Sequence, residues 1–132
     1  MSEATTTAPS ATGTVCWNEL LSTDASGVRD FYTKLFGYEV EEKDMGPMGT
    51  YTLFTKGDKQ IGGMMQNPEP GGSSIWVPYI AVEDVDASTK QAESFGAKVC
   101  VPPSDIPQIG RFSMISDPAG ATLGLFKGTH TC

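Results

Sequence analysis

Between Thr14 and Phe126 the spacing of apolar positions switches between a period of two and a period of three to four, in an order that occurs twice. TVCWNELLST, from Thr14, alternates and predicts a strand. DASGVRDFYTKLFG then places Ala25, Val28, Phe31 or Tyr32, and Leu35 on one side of a helix that Gly37 closes. YEVEE, TYTLFT and KQIGGMM follow as three short strands, broken at Met45-Gly46-Pro47 and Lys56-Gly57-Asp58. After the turn-rich QNPEPGGSS the order begins again. IWVPYIAV is a strand, EDVDASTKQAESFG a helix carrying Val85, Ala92 and Phe95, and AKVCVP, RFSMIS and ATLGLF are three more strands.

Overlaying the halves supports a repeat. With a step of 59 residues, Cys16-Trp17 falls on Ile75-Trp76, Phe36-Gly37 on Phe95-Gly96 and Val40 on Val99. With a step of 61, Gly49 falls on Gly110, Tyr51 on Phe112, Leu53 on Met114 and Gly63 on Gly124. The expected fold class is α+β: two tandem βαβββ modules forming a curled mixed sheet around a cup, with helices covering the outer faces. The expected organisation is a flexible leader over 1–13, a single domain over 14–127 and a short tail over 128–132. Module one takes 14–66, a linker 67–74 and module two 75–127.

Composition narrows the partners. Sixteen acidic against nine basic residues give a net charge of −7, with the basic residues scattered, which argues against nucleic acid. No apolar run approaches the roughly 20 residues of a membrane span, and no signal segment is visible at the start, so a cytoplasmic location is expected. Cys16, Cys100 and Cys132 have no paired spacing. Cys16 and Cys100 read as small buried hydrophobes, and the single histidine, His130, is poorly placed to activate a thiol.

STDASGVRDFYTKLFGYEV and DPAGATLGLF resemble the strand-helix-strand passage and closing hairpin of the vicinal oxygen chelate superfamily, which includes glyoxalases, bleomycin resistance proteins and extradiol dioxygenases. VCWNELLSTD, VPPSDIPQIGRF and DPAGA are similar to a bacterial glyoxalase-like subgroup, some of whose members carry a hydroxylase label. The resemblance implies a divalent metal held by residues from the first and last strand of each module. Those positions fall on Trp17 and on Trp76 or its neighbour Val77, and on Gly63 (or Gly62) and Gly124. None offers a ligand atom, so no metal and no other cofactor is expected.

A cup without metal is still lined, and strand parity says by what. Trp17, Glu19 and Leu21 share a face; Trp76, Pro78 and Ile80 match them in the second overlay; Gly63 and Gly124 lie alongside, flanked by Met65, Thr122 and Phe126. The expected ligand-binding set is Trp17, Glu19, Leu21, Met65, Trp76, Pro78, Thr122 and Phe126. Both tryptophans also fit a purely core role. Glu19 is the one carboxylate in an otherwise apolar strand, a candidate general acid or base if it lies in the cup. Arg111 either clamps an anionic ligand, as a second catalytic candidate, or anchors Asp105 or Asp117. Tyr51 and Tyr79 could place hydroxyls at the pocket mouth, with structural packing as their default role. Three functions remain open: a metal-independent binder of an aromatic or apolar small molecule, acting as a homodimer; an enzyme using Glu19 in an isomerase, lyase or hydroxylase-like step; and a structural or regulatory interaction protein.

Overall fold

The structure is a computed structural model in which residues 12–69, 71–106 and 109–128 are described. Most of the expected leader lies outside the described residues, as do His130 and Cys132. Every expected element is present: β1 Val15–Ser22, α1 Ala25–Phe36, β2 Glu39–Asp44, β3 Thr50–Lys56, β4 Lys59–Gln66, β5 Ile75–Ala81, α2 Val85–Ser94, β6 Lys98–Ile106, β7 Gly110–Ser116 and β8 Thr122–Gly128. A single 3-10 turn, Gly46–Met48, separates β2 from β3. Among the described residues, no helix is long and apolar enough to cross a membrane.

By compactness the chain divides into two units. One is Asn18–Val77; the other is Pro78 to the C-terminus with the chain up to Trp17. In the second unit the start of the chain pairs with the end of β5, through Gly13 N–H to Ala81 O and Ala81 N–H to Thr14 O.

In the first unit the strands run β2-β3-β4-β1, antiparallel except for the parallel pair β1 and β4. Helix α1 starts where the Asp24 carboxylate accepts from Gly27 N–H, and it ends at Gly37, whose positive φ of 74° lets its N–H reach Thr33 O. It covers Leu20, Phe54 and Met64 with Ala25, Val28 and Tyr32. Burying a side chain such as Phe54 stabilises by about 1.5–3 kcal/mol. Between Phe31 and Tyr32, then, Tyr32 faces the core. Leu35, expected there as well, is exposed, because Tyr32 with Phe36 and Tyr38 already closes that end of the core. The edge strand β2, EVEEKD, is exposed along its whole length, and its charges discourage pairing with another chain.

The second unit repeats the pattern as β5-β8-β7-β6, with β5 and β8 parallel. Asp84 caps α2 by accepting from Ala87 N–H. Val82, Val85, Ile115 and Leu125 form the core, with Ile80, Ala92, Val99 and Leu123 against them. Phe95, placed by the sequence on this helix with Val85 and Ala92, is 72% exposed, at the residue that caps it. A buried polar contact crosses from α2 to β7: Thr89 Oγ1 donates to Val85 O at 2.6 Å and meets Ser113 Oγ at 2.8 Å. With the threonine hydrogen committed to the carbonyl, Ser113 is the donor of that second bond. Pro102 and Pro103 sit in the edge strand β6, where the register shifts and a ladder donor is dispensable. Cys16 is half-buried and Cys100, on β6, is exposed, so the expectation of two buried thiols is corrected.

The repeat is real, but its step is not constant. The capping residues Asp24 and Asp84 are 60 apart, the glycines after the helices, Gly37 and Gly96, are 59 apart, and Gly63 and Gly124 are 61 apart. One residue is therefore lost within the second helix, and two are gained before the third strand.

Candidate functional site

The changing step decides which side chains share a face. Glu19 is the register partner of Gly63, and Tyr79 is the register partner of Gly124. Glu19 and Tyr79 are thus repeat equivalents, 60 residues apart, and Trp17 corresponds to Val77 rather than to Trp76. A slip of one residue along a strand exchanges its two faces. The sequence overlay made that slip in the first strand, because it carried the step of 59 from the helix end back to the strand.

The consequences are specific. Leu20 packs under α1, so Glu19 and Leu21 lie on the helix-free face of the first unit, and Trp17 has the same parity along β1. Met65, the register partner of Leu21, belongs to this face too. In β5, Ile80 packs on the α2 core, so Pro78 and Trp76 alternate onto the helix side. Trp76 stands edge-on to Tyr32 of α1, with ring centroids 5.7 Å apart. Trp76 and Pro78, expected to line the cup, thus alternate with Tyr79 and share the parity of Ile80. In β8, Leu123 and Leu125 face the core, leaving Thr122, Gly124 and Phe126 on the helix-free face.

Both glycines are occupied positions. A Cβ built on Gly63 would overlap the hydroxyl of Tyr51, and a Cβ built on Gly124 would overlap the ring of Tyr79 at Cδ2 and Cε2. Tyr51 comes from β3, two residues from Leu53, which pairs with Gly63. The residue equivalent to Tyr51 in the second unit is Phe112, whose ring lies 6.3 Å from that of Tyr79. Sequence reasoning keeps structural packing as the default for both tyrosines and allows their hydroxyls at a pocket mouth. The available signal was a strand glycine with an aromatic on the adjoining strand, an arrangement in which the ring covers the bare backbone.

These helix-free faces are sheltered. Leu53, Tyr79, Met114 and Val77 are buried, and Glu19 is only 9% exposed. Tyr51 is half-buried.

Arg111 lies elsewhere. It alternates with Ser113 and Ile115 on the helix side of β7 and bonds Asp86 of α2 at 2.6 Å and Asp105 at 2.8 Å. The hydrogen bonds it donates to Asp86 and then Asp105 push its pKa further up, and the Arg111 guanidinium holds the Asp86 carboxyl below its ordinary value. The anchoring partner is Asp105, with Asp86 added; Asp117 is used differently. Its carboxylate accepts from Ala119 and Ala121 N–H at 2.8 and 3.0 Å, closing the Asp117-Pro118-Ala119-Gly120 turn. Those backbone donors lower its pKa.

The four positions that the resemblance assigns to a metal now carry an indole (Trp17), an isopropyl group (Val77) and two glycines whose outward space holds tyrosine atoms. Such a set does not fit a divalent ion. Among the described residues no group of three or more His, Cys, Asp or Glu side chains is placed to hold a metal.

The repeated βαβββ fold with its four fixed positions defines a class, and comparison with known proteins agrees. Residues 16–125 match the Glyoxalase/Bleomycin resistance protein/Dioxygenase superfamily, and the chain belongs to that superfamily. It is 37% identical over 116 residues to the Mycobacterium tuberculosis protein named "Putative glyoxylase CFP32", covering 88% of this chain and 44% of the relative. It is 31% identical to the anthracycline biosynthesis protein DnrV of Streptomyces peucetius, covering 89% of this chain and 48% of that one. The chain thus spans about half the length of these curated relatives. Among solved structures, a Streptomyces coelicolor methylmalonyl-CoA epimerase variant bound to 2-nitronate-propionyl-CoA has a TM-score of 0.65 at 14% identity, covering 90% of this chain and 96% of that one. The Mn(II)-bound glyoxalase of Novosphingobium aromaticivorans has a TM-score of 0.58 at 18% identity, covering 87% of this chain and 38% of that one. These two share the fold.

Proposed function

We propose that the protein is a metal-independent small-molecule-binding member of the superfamily, whose ligand is aromatic or apolar and rests on a helix-free sheet face. The observation that carries this reading is the replacement of both last-strand carboxylate positions by glycines covered with tyrosine. A metal seat has become an aromatic surface, and stacking and apolar contact are what such a surface offers a ligand. The net charge of −7 favours a neutral or cationic ligand over an anion. Similarity to an anthracycline biosynthesis protein supports a polycyclic aromatic ligand class. The proposal includes a homodimer, as the resemblance implies, with mass by light scattering as its check. The test of binding is a titration of the protein with fluorene and 9-fluorenone, flat tricyclic probes, read by quenching of tryptophan fluorescence. Saturable quenching is expected, and its absence with both probes would refute the reading.

A second reading rests on Glu19, a carboxylate 9% exposed on the helix-free face and in register with Gly63. A carboxylate sheltered from bulk water suits proton transfer. Its test is exchange of the α-protons of 2-indanone in D2O, followed by NMR. Acceleration by the protein that E19Q abolishes while fluorenone binding persists would favour the enzyme. Equal exchange with and without protein would leave the binder.

A further inference from the structure

Helix α1 carries more apolar surface than its sheet uses. Tyr32 faces the core, while Phe31 and Leu35, one helical turn apart, are 57% and 58% exposed, and Phe36 and Trp76 are 48% and 46% exposed. The rings form a chain: Phe31 stands edge-on to Tyr32 at 5.1 Å, and Tyr32 meets Trp76 at 5.7 Å and Phe36 at 6.4 Å. The exposed area of these four side chains is on the order of 400 Å², about half of what each partner buries in a standard interface. The repeat supplies a comparison within the same chain. Counted back from Gly37 and Gly96, Phe31 and Leu35 correspond to Lys90 and Ser94 of α2, both exposed. A helix of this fold covers its sheet with polar residues at those places, so the apolar pair in α1 is surplus to folding.

We infer that this flank of α1 is where a second copy of the chain docks, α1 against α1 in antiparallel order about a two-fold axis. This rests on the homodimer in the reading above and adds its interface. Charge selects the second copy as the occupant. Asp30 and Lys34 run beside Phe31 and Leu35 at the same four-residue spacing, and both are exposed. Arg29 is committed to Glu42 at 2.6 Å and leaves Asp30 only a 4.0 Å contact. A two-fold axis that sets Phe31 against Leu35 of the second copy also brings Asp30 beside Lys34 of the second copy, and does so twice. The patch is thus complementary to itself, apolar pair to apolar pair and acid to base. The sheet edges offer poorer routes, since β2 is lined with exposed charges and β6 carries Pro102 and Pro103. The relatives at 37% and 31% identity carry about as much chain again beyond the matched part, so a partner of this chain's own size has a counterpart in length.

The test is sedimentation equilibrium of the wild-type chain and its variants over a concentration series. The wild type is expected as a dimer. F31E and L35E should each raise its dissociation constant about 30-fold or more, the effect of losing an anchor side chain at the centre of an interface. K90E, at the equivalent place in α2, should leave the dimer unchanged. D30K and K34D should each weaken it about 2- to 5-fold by setting like charges together, and the double variant should restore it, which a folding defect cannot do. If the wild type dimerises and none of the α1 variants changes it, this interface is overturned while the dimer stands. If the wild type is a monomer throughout, the homodimer fails and this interface with it. Unchanged far-UV circular dichroism and melting of F31E and L35E separate a lost contact from a lost fold.

Discussion

The ring of Tyr79 lies where a side chain on Gly124, its register partner, would begin. The Tyr51 phenol covers Gly63 in the same way, with its hydroxyl, Cζ and Cε2, but this tyrosine is half-buried. Gly124→Ala is therefore expected to destabilise by about 1–3 kcal/mol, the range for overpacking a filled core, since the buried Tyr79 ring has nowhere to go. Gly63→Ala should cost less, because a half-buried phenol can swing aside. Urea denaturation of the two variants checks the order, and an equal loss would mean that the two seats are equally rigid.

Trp76 stands against Tyr32 on the helix side, whereas Trp17 has the parity of Glu19 along β1. In Trp76→Phe, fluorene should still quench the remaining Trp17 with unchanged affinity. In Trp17→Phe, the remaining Trp76 should report little quenching, and affinity should fall. The opposite pattern would put the ligand on the outer surface of α1.

The Thr89 and Ser113 hydroxyls satisfy one another in a buried place. Thr89→Val removes one partner and should cost about 1–3 kcal/mol, as for a stranded buried polar group. The double variant with Ser113→Ala should lose less than the sum of the single changes. Additivity in a double-mutant cycle by chemical denaturation would contradict the contact.

Asp117 gives an acid-side dependence with a defined sign. Its folded-state pKa is lowered, chiefly by the Ala121 and Ala119 backbone donors, from an unfolded value of about 3.9. Its contribution is then fully present above that unfolded value and is lost as pH falls through the lower folded one. The melting temperature should fall below about pH 4, and D117N should show a shallower fall over the same window. Asp86, lowered by Arg111, adds in the same direction. Parallel melting profiles for wild type and D117N would remove Asp117 from the explanation.

Much of the fold was legible in the chain. The switch from alternation to helical spacing and the glycine that closes the first helix are local signals, and they mark the elements observed. What misled was the join between local signals. Cys16-Trp17 and Ile75-Trp76 match well by residue type, yet the strand register follows Glu19 with Gly63 and Tyr79 with Gly124, one residue away. Residue likeness says nothing about where a helix drops a residue. Leu35 was misplaced for a related reason: helical spacing gives a direction, but how far the sheet extends beneath it is a tertiary fact. The absence of metal ligands at Gly63 and Gly124 was readable, whereas their cover by Tyr51 and Tyr79 required the strand pairing.

The central claim is that the site binds its ligand without a metal, and one measurement addresses it directly. Protein stripped with EDTA, with Zn, Ni, Fe and Mn verified as substoichiometric by elemental analysis, is titrated with 9-fluorenone before and after Mn(II) or Zn(II) is restored. The same saturable binding curve is expected in every case. Binding that is absent after EDTA and returns only with a stoichiometric ion would contradict it.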